Sequence, residues 1–212
     1  MSGELSDDVH QGLGRALLIG HSYIKRLRFS FGFNEGVMNR ADARRLATLL
    51  EVQYRFREVY VRSGDIYMVS DLPFPEHISS WEMDYVVLDI GTNDIAQFQL
   101  RDPGLVTELA TTVAQWADRL NVPTVVQATL PRIRNLACDL PTFRHNHMAY
   151  NDILRAKVDA RTPSHMNRVR YNKMQGLLYP GFERYVHADG IHVEDPQGTY
   201  LKRVRKSLLG FY

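Results

Sequence analysis

Four short segments of this chain hold residues able to do covalent chemistry, and they come in a fixed order. Gly20-His21-Ser22 closes an apolar run. Gly64 closes a second, and Gly91-Thr92-Asn93-Asp94 closes a third. Asp189-Gly190-Ile191-His192 lies near the C-terminus. Together they offer a hydroxyl nucleophile, backbone and amide N–H donors for a developing oxyanion, and a carboxylate–imidazole pair. Those are the parts that acyl transfer requires.

Each segment also has a plainer reading. Ser22 follows a strand and precedes Tyr23-Ile24-Lys25, the start of a helix, where a serine can be an N-cap as well as a nucleophile. The Asn93 amide supplies two N–H donors, but asparagine at a strand end also makes Asx-turns. Asp189 and His192 are spaced so that a turn puts both side chains on one side. The carboxylate can then hold one imidazole nitrogen and leave the other as a base. Against this, Asp-Gly is a common turn pair. Ser63-Gly64-Asp65 is itself an ordinary turn, although any backbone N–H can serve an oxyanion.

The elements that must position these residues are legible from apolar patterning. Arg15–Gly20, Phe56–Val61, Tyr85–Ile90 and Thr124–Leu130 read as strands, with Arg168–Tyr171 a short fifth. Met38–Val52, Gly104–Leu120 behind Asp102-Pro103, Phe143–Ala160 and Asp195-Pro196 through Leu208 read as helices. Leu72–Pro75, with two prolines, reads as loop. Strands without polar alternation, interleaved with helices, predict an α/β fold: a three-layer α/β/α sandwich around a parallel sheet of about five strands. Ser22, Gly64 and Asn93 then fall beyond the carboxyl ends of successive strands, where open α/β sheets bind ligands.

The 212 residues suit one domain, read as 14–212 behind a flexible tail over 1–13. Met1 to His10 is polar and acidic, unlike a signal peptide, and no apolar run reaches membrane-spanning length. The single cysteine, Cys138, excludes an intrachain disulfide and fits a reducing compartment, the cytoplasm or nucleus. Cys138 has no evident base partner. His145 and His147 diverge on a helix, and no metal or cofactor is called for. His187, two residues before Asp189, either lines the same site or stands exposed. A net charge of +2 does not by itself indicate a nucleic-acid partner. Cations nonetheless cluster at Lys25, Arg26 and Arg28, at Arg40, Arg44 and Arg45, at Arg132 and Arg134, and at Lys202, Arg203, Arg205 and Lys206. These are solvated helix faces or a patch for phosphate, nucleic acid or an anionic surface.

The ordered blocks Gly-x-Ser, Gly, Gly-x-Asn-Asp and Asp-x-x-His resemble the SGNH hydrolases, the GDSL-like esterase and lipase superfamily, from about Arg15 to Leu208. Gly198 before a terminal helix, and Tyr150-Asn151 with Leu154, agree with that family's pattern. Gly20 to Leu27 also looks like SGNH domains of some animal retroelements and of uncharacterised invertebrate proteins. The resemblance implies a flavodoxin-like SGNH fold. It implies Ser22 as nucleophile, His192 as base and Asp189 as its orienting partner, with Ser22, Gly64 and Asn93 forming the oxyanion hole. The expected activity is hydrolysis of a small-molecule or lipid ester, acetyl or short acyl. The alternative is a catalytically weak or silent module that binds RNA or another polyanion. The sequence departs from the family at His21, where aspartate is usual, so a fixed negative charge is missing beside the nucleophile. Asp189 beside His192 is expected to raise the imidazole's titration midpoint.

Overall fold

Residues that are apolar on both sides of a strand need cover on both faces, and the sheet supplies it. The computed structural model describes residues 13–160 and 168–210. The strands are β1 (Gly14–Gly20), β2 (Phe56–Arg62), β3 (Tyr85–Asp89), β4 (Thr124–Gln127) and β5 (Val169–Asn172). All pair in parallel, in the order β2-β1-β3-β4-β5. The helices are α1 (Ser22–Ser30), α2 (Arg40–Leu49), α3 (Pro75–Ser79), α4 (Thr92–Ala96), α5 (Pro103–Arg119), α6 (Leu140–Asp159) and α7 (Leu201–Leu209). All but Leu13 of the expected N-terminal tail lies outside the described residues.

Strand pleating sends alternate residues into two separate apolar layers. Ala16 and Leu18 of β1 and Val59 and Val61 of β2 pack with Ile24 and Leu27 of α1, Leu46 of α2 and Val204 and Leu208 of α7. Leu17 and Ile19 of β1 and Val86 and Leu88 of β3 pack with Val106 and Val113 of α5 and Phe143 and Leu154 of α6. This is the expected three-layer α/β/α sandwich. Among the described residues, no helix is long and apolar enough to cross a membrane.

Several boundaries differ from the expected ones, each for a local reason. β4 stops at Gln127, short of Leu130, because the Asn151 side chain takes over the Thr129 backbone. Its Oδ1 accepts from Thr129 N at 3.0 Å and its Nδ2 donates to Thr129 O at 3.2 Å. Pro75 does not stay in the loop but opens α3, where its missing N–H costs nothing. The last helix is split: a π-type turn over Pro196–Tyr200 precedes α7, and Gly198 inside that turn kinks the chain with a non-helical ψ of −121°. Asp102 and Asp139 cap α5 and α6 by accepting from Leu105 N at 3.0 Å and Thr142 N at 2.7 Å.

Candidate active site

The end of β1 is built around a close approach of two backbones. Gly20 sits in register with Asp89, and a Cβ at Gly20 would lie 2.0 Å from the Asp89 carbonyl oxygen. Glycine is therefore the residue that fits. His21, not Ser22, occupies the N-cap of α1, and no side chain caps the helix. Ser22 is its first residue, so its N–H has no acceptor within the helix. His21 is buried, with Nδ1 3.5 Å from the Ser22 Oγ and Nε2 without a partner. Burial, with the nearby Arg132 and His192, lowers its pKa to about 3. The residue that replaces the usual aspartate is thus a neutral imidazole.

The Asp189–His192 turn is tied together by its own hydrogen bonds. Asp189 Oδ1 accepts from Ile191 N at 2.8 Å and His192 N at 3.0 Å. Asp189 Oδ2 lies 2.8 Å from His192 Nδ1 and accepts from Arg26 Nη2 at 2.9 Å. Burial works against the charge on Asp189, but these contacts hold its carboxyl well below the usual carboxylate range. His187 Nδ1 accepts from Asp189 N at 3.2 Å and so shapes the turn.

His192 does not shift upward as the Asp189 neighbour alone suggested. Burial lowers its pKa, and the cations Arg26 and Arg132 add to the fall, together outweighing the Asp189 hydrogen bond. The Asp189 neighbour is fixed by local spacing, whereas burial and the remote arginines act on His192 only once the chain has folded.

Helix α1 joins the two ends of the site. Arg26 is one helical turn beyond Ser22, which aims it at Asp189. The Tyr23 hydroxyl lies 2.7 Å from Ile191 O and 3.1 Å from Pro131 O, and its ring stands edge-on to His192 at 5.9 Å. Sequence reasoning placed Arg26 in a surface cluster and gave Tyr23 no role. The i, i+4 spacing from Ser22 to Arg26 was the available signal.

At the end of β3, Gly91 has φ +115°, and a Cβ there would lie 2.7 Å from the Tyr150 hydroxyl. Asn93 makes no local Asx-turn. Its Nδ2 donates to Tyr67 O at 2.7 Å, and its Oδ1 accepts from Arg132 Nη2. One N–H of the amide is left over. Asp94 receives Val69 N at both carboxylate oxygens, 3.2 Å each, and burial raises its pKa to about 6. Asn93 and Asp94 therefore anchor the segment that follows Gly64. Gly64 itself is exposed, and a Cβ there would meet nothing within 4 Å. It lines a cavity of about 650 Å³ with Lys25, Tyr60, Trp81 and Met83.

No protein-family model and no curated protein matches the chain. Solved structures do. An α/β hydrolase, LAE5, from the metagenome of Lake Arreo superposes with a TM-score of 0.56 at 19% identity, covering 93% of this chain and 94% of that one. A lipase/acylhydrolase from Enterococcus faecalis gives 0.54 at 15% identity, covering 93% and 95%. A family 3 carbohydrate esterase from Clostridium thermocellum gives 0.54 at 16% identity, covering 93% and 96%. The chain has the SGNH hydrolase fold.

The remaining sequence candidates scatter over that fold. His147 is buried with Nε2 2.7 Å from Thr129 O, and His145 is exposed. Among the described residues, no group of three or more His, Cys, Asp or Glu is placed to hold a metal. The basic clusters are largely not free faces. Lys25 pairs with Glu35. Arg40 and Arg44 reach the buried Glu58 at 2.5 and 3.7 Å. Arg205 donates to Leu50 O at 2.8 Å and pairs with Glu51 at 2.9 Å. Lys202 is exposed, whereas Arg203 and Lys206 line a second cavity of about 330 Å³ with Arg155 and Lys173.

Proposed function

We propose that this chain is a serine esterase that hydrolyses a carboxylic ester, acetyl or short acyl, through an acyl-enzyme. One observation carries the reading. The ionised Asp189, hydrogen-bonded to His192 Nδ1 at 2.8 Å, is also held by Arg26, one turn from Ser22 on the same helix. With Nδ1 engaged, Nε2 is the free base of the imidazole. The esterases and acylhydrolases that share the fold support the same chemistry.

In this mechanism His192 Nε2 takes the proton of Ser22 Oγ as the oxygen attacks the ester carbonyl. The tetrahedral oxyanion is held by the N–H groups of Ser22 and Gly64 and by the spare N–H of Asn93. Collapse breaks the C–O bond, and His192 returns the proton to the leaving alcohol. Water, deprotonated by His192, then attacks the acyl-serine and frees the acid. The lowered pKa of His192 keeps it an unprotonated base at neutral pH. The kcat/KM profile is expected to rise with pH around a midpoint below the ordinary imidazole value of about 6.5.

The test is hydrolysis of p-nitrophenyl acetate. Wild type turns it over, and Ser22→Ala reduces the rate to near the uncatalysed background. Equal turnover by both proteins would remove Ser22 from the reaction. A second reading rests on the cavity where Lys173, Arg203 and Lys206 stand beside an Arg155–Asp159 ion pair, a net positive lining that suits a polyanion. Salt-sensitive RNA binding by a protein with no Ser22-dependent turnover would decide for it.

A further inference from the structure

Arg132 is a buried cation that the acid–base machinery does not use. It follows β4 and is 6% exposed. Among the described residues it makes no ion pair with a carboxylate. Its Nη2 donates to Asn93 Oδ1 and its Nε has no partner. A buried charge without a counter-ion is unfavourable by several kcal/mol, so its retention calls for a reason at this edge of the sheet. The Asn93 amide supplies one. An asparagine can serve an oxyanion only if its nitrogen, not its oxygen, faces the substrate. Arg132 donating to Oδ1 and Tyr67 O accepting from Nδ2 together settle which way the amide is turned. A cation on the oxygen also polarises the amide, making the spare N–H a stronger donor.

We propose that Arg132 is a positioning residue of the oxyanion hole: it locks the Asn93 amide with its N–H toward the reacting carbonyl and adds positive potential behind it. The proposal rests on the ester-hydrolysis reading and extends it to a residue outside the four motif blocks. The same cation bears on His192. The groups around that ring are Asp189 from its own turn, Arg26 and Tyr23 from α1, His21 before α1, and Arg132 after β4. Loss of Arg132 removes one of the two cations that disfavour the protonated ring.

The experiment is a double-mutant cycle of Arg132→Met with Asn93→Ala, run on p-nitrophenyl acetate, with the His192 ring titrated by NMR. Arg132→Met is expected to lower kcat by about tenfold or more with KM little changed. Asn93→Ala should then cost much less in the Met background than in wild type, because the two act as a unit. The His192 midpoint should rise. Thermal stability should hold or increase, since an apolar residue replaces an unpaired buried charge; a merely structural arginine would show the reverse. Arg132→Lys keeps the charge and loses the planar grip, so it should lower kcat while leaving the His192 midpoint near wild type. If the Met variant does not fold, the same cycle is run on the Lys variant. Equal cost of Asn93→Ala in both backgrounds overturns the proposal. If wild type shows no Ser22-dependent turnover, the ester reading falls by itself. The Asn93 side-chain amide resonances then decide the positioning: a shift on substitution of Arg132 supports it, and unmoved resonances overturn it.

Discussion

Two aspartates of this protein meet opposite fates. Asp189 is part-exposed and accepts from two backbone N–H groups and Arg26, with His192 Nδ1 at hydrogen-bond distance, so its carboxyl stays ionised. Asp89, at the end of β3, is fully buried and accepts from the Tyr200 hydroxyl alone at 2.7 Å, leaving Oδ1 without a partner. Burial raises it to about 7, against the Tyr200 hydrogen bond. Burial and the number of donors that the fold brings to each carboxylate together decide its charge, and residue type does not. One is kept as an anion able to orient a base. The other is held largely neutral below pH 7, beneath the backbone junction on which the Ser22 turn rests.

The strongest way to break this contrast is Asp189→Asn, which keeps the shape and removes the charge. Under the esterase reading, kcat/KM on p-nitrophenyl acetate falls on the order of a thousandfold or more. A loss below tenfold would make the Asp189 network structural. Asn93→Ala comes next, with a loss on the order of a hundredfold, the usual scale for one oxyanion donor, and little change in thermal stability. Near-normal turnover in a folded variant would take Asn93 out of the hole.

Asp89→Asn sharpens the other side. A carboxyl whose folded pKa lies above its unfolded value of 3.8 contributes fully below that value, and its contribution is lost as pH rises toward about 7. The wild type is therefore expected to lose on the order of a few kcal/mol across that window from this group. The Tm of Asp89→Asn relative to wild type should grow more favourable from pH 4 to pH 8. A pH-independent difference would mean that Asp89 is ionised in the folded protein. The smallest effect is expected from Lys202, Arg203 and Lys206 together changed to Gln. Small-ester turnover should stay within about twofold, because screened surface charges act weakly at a distance. Arg205→Gln should instead lower Tm, since Arg205 holds Leu50 O and Glu51.

Much of the frame was readable along the chain. Ala16–Ile19 and Tyr85–Leu88 announce covered strands because burial on both faces removes polar alternation. Glycine marks the turns after β1 and β3 because no other side chain fits against Asp89 O or the Tyr150 hydroxyl. Asp102-Pro103 announced α5 through cap chemistry that is local in sequence. The short helices α3 and α4 carried too few turns to show a period, and β4 was read too long because the clamp that ends it, Asn151, lies on another element.

By itself the sequence determined the order of the strands and the longer helices, their apolar faces, and which side chains stand at the ends of β1, β2 and β3. Those follow from periodicity and turn chemistry within a few residues. Tertiary structure alone decided which of those side chains are charged and which way they point. Arg26 reaches Asp189 across 163 positions, and Arg132 reaches Asn93 across 39. The downward shift of His192 belongs to the same class. Desolvation and ion pairing depend on distance in space, and no spacing along a chain encodes them until the sheet has brought its strand ends together.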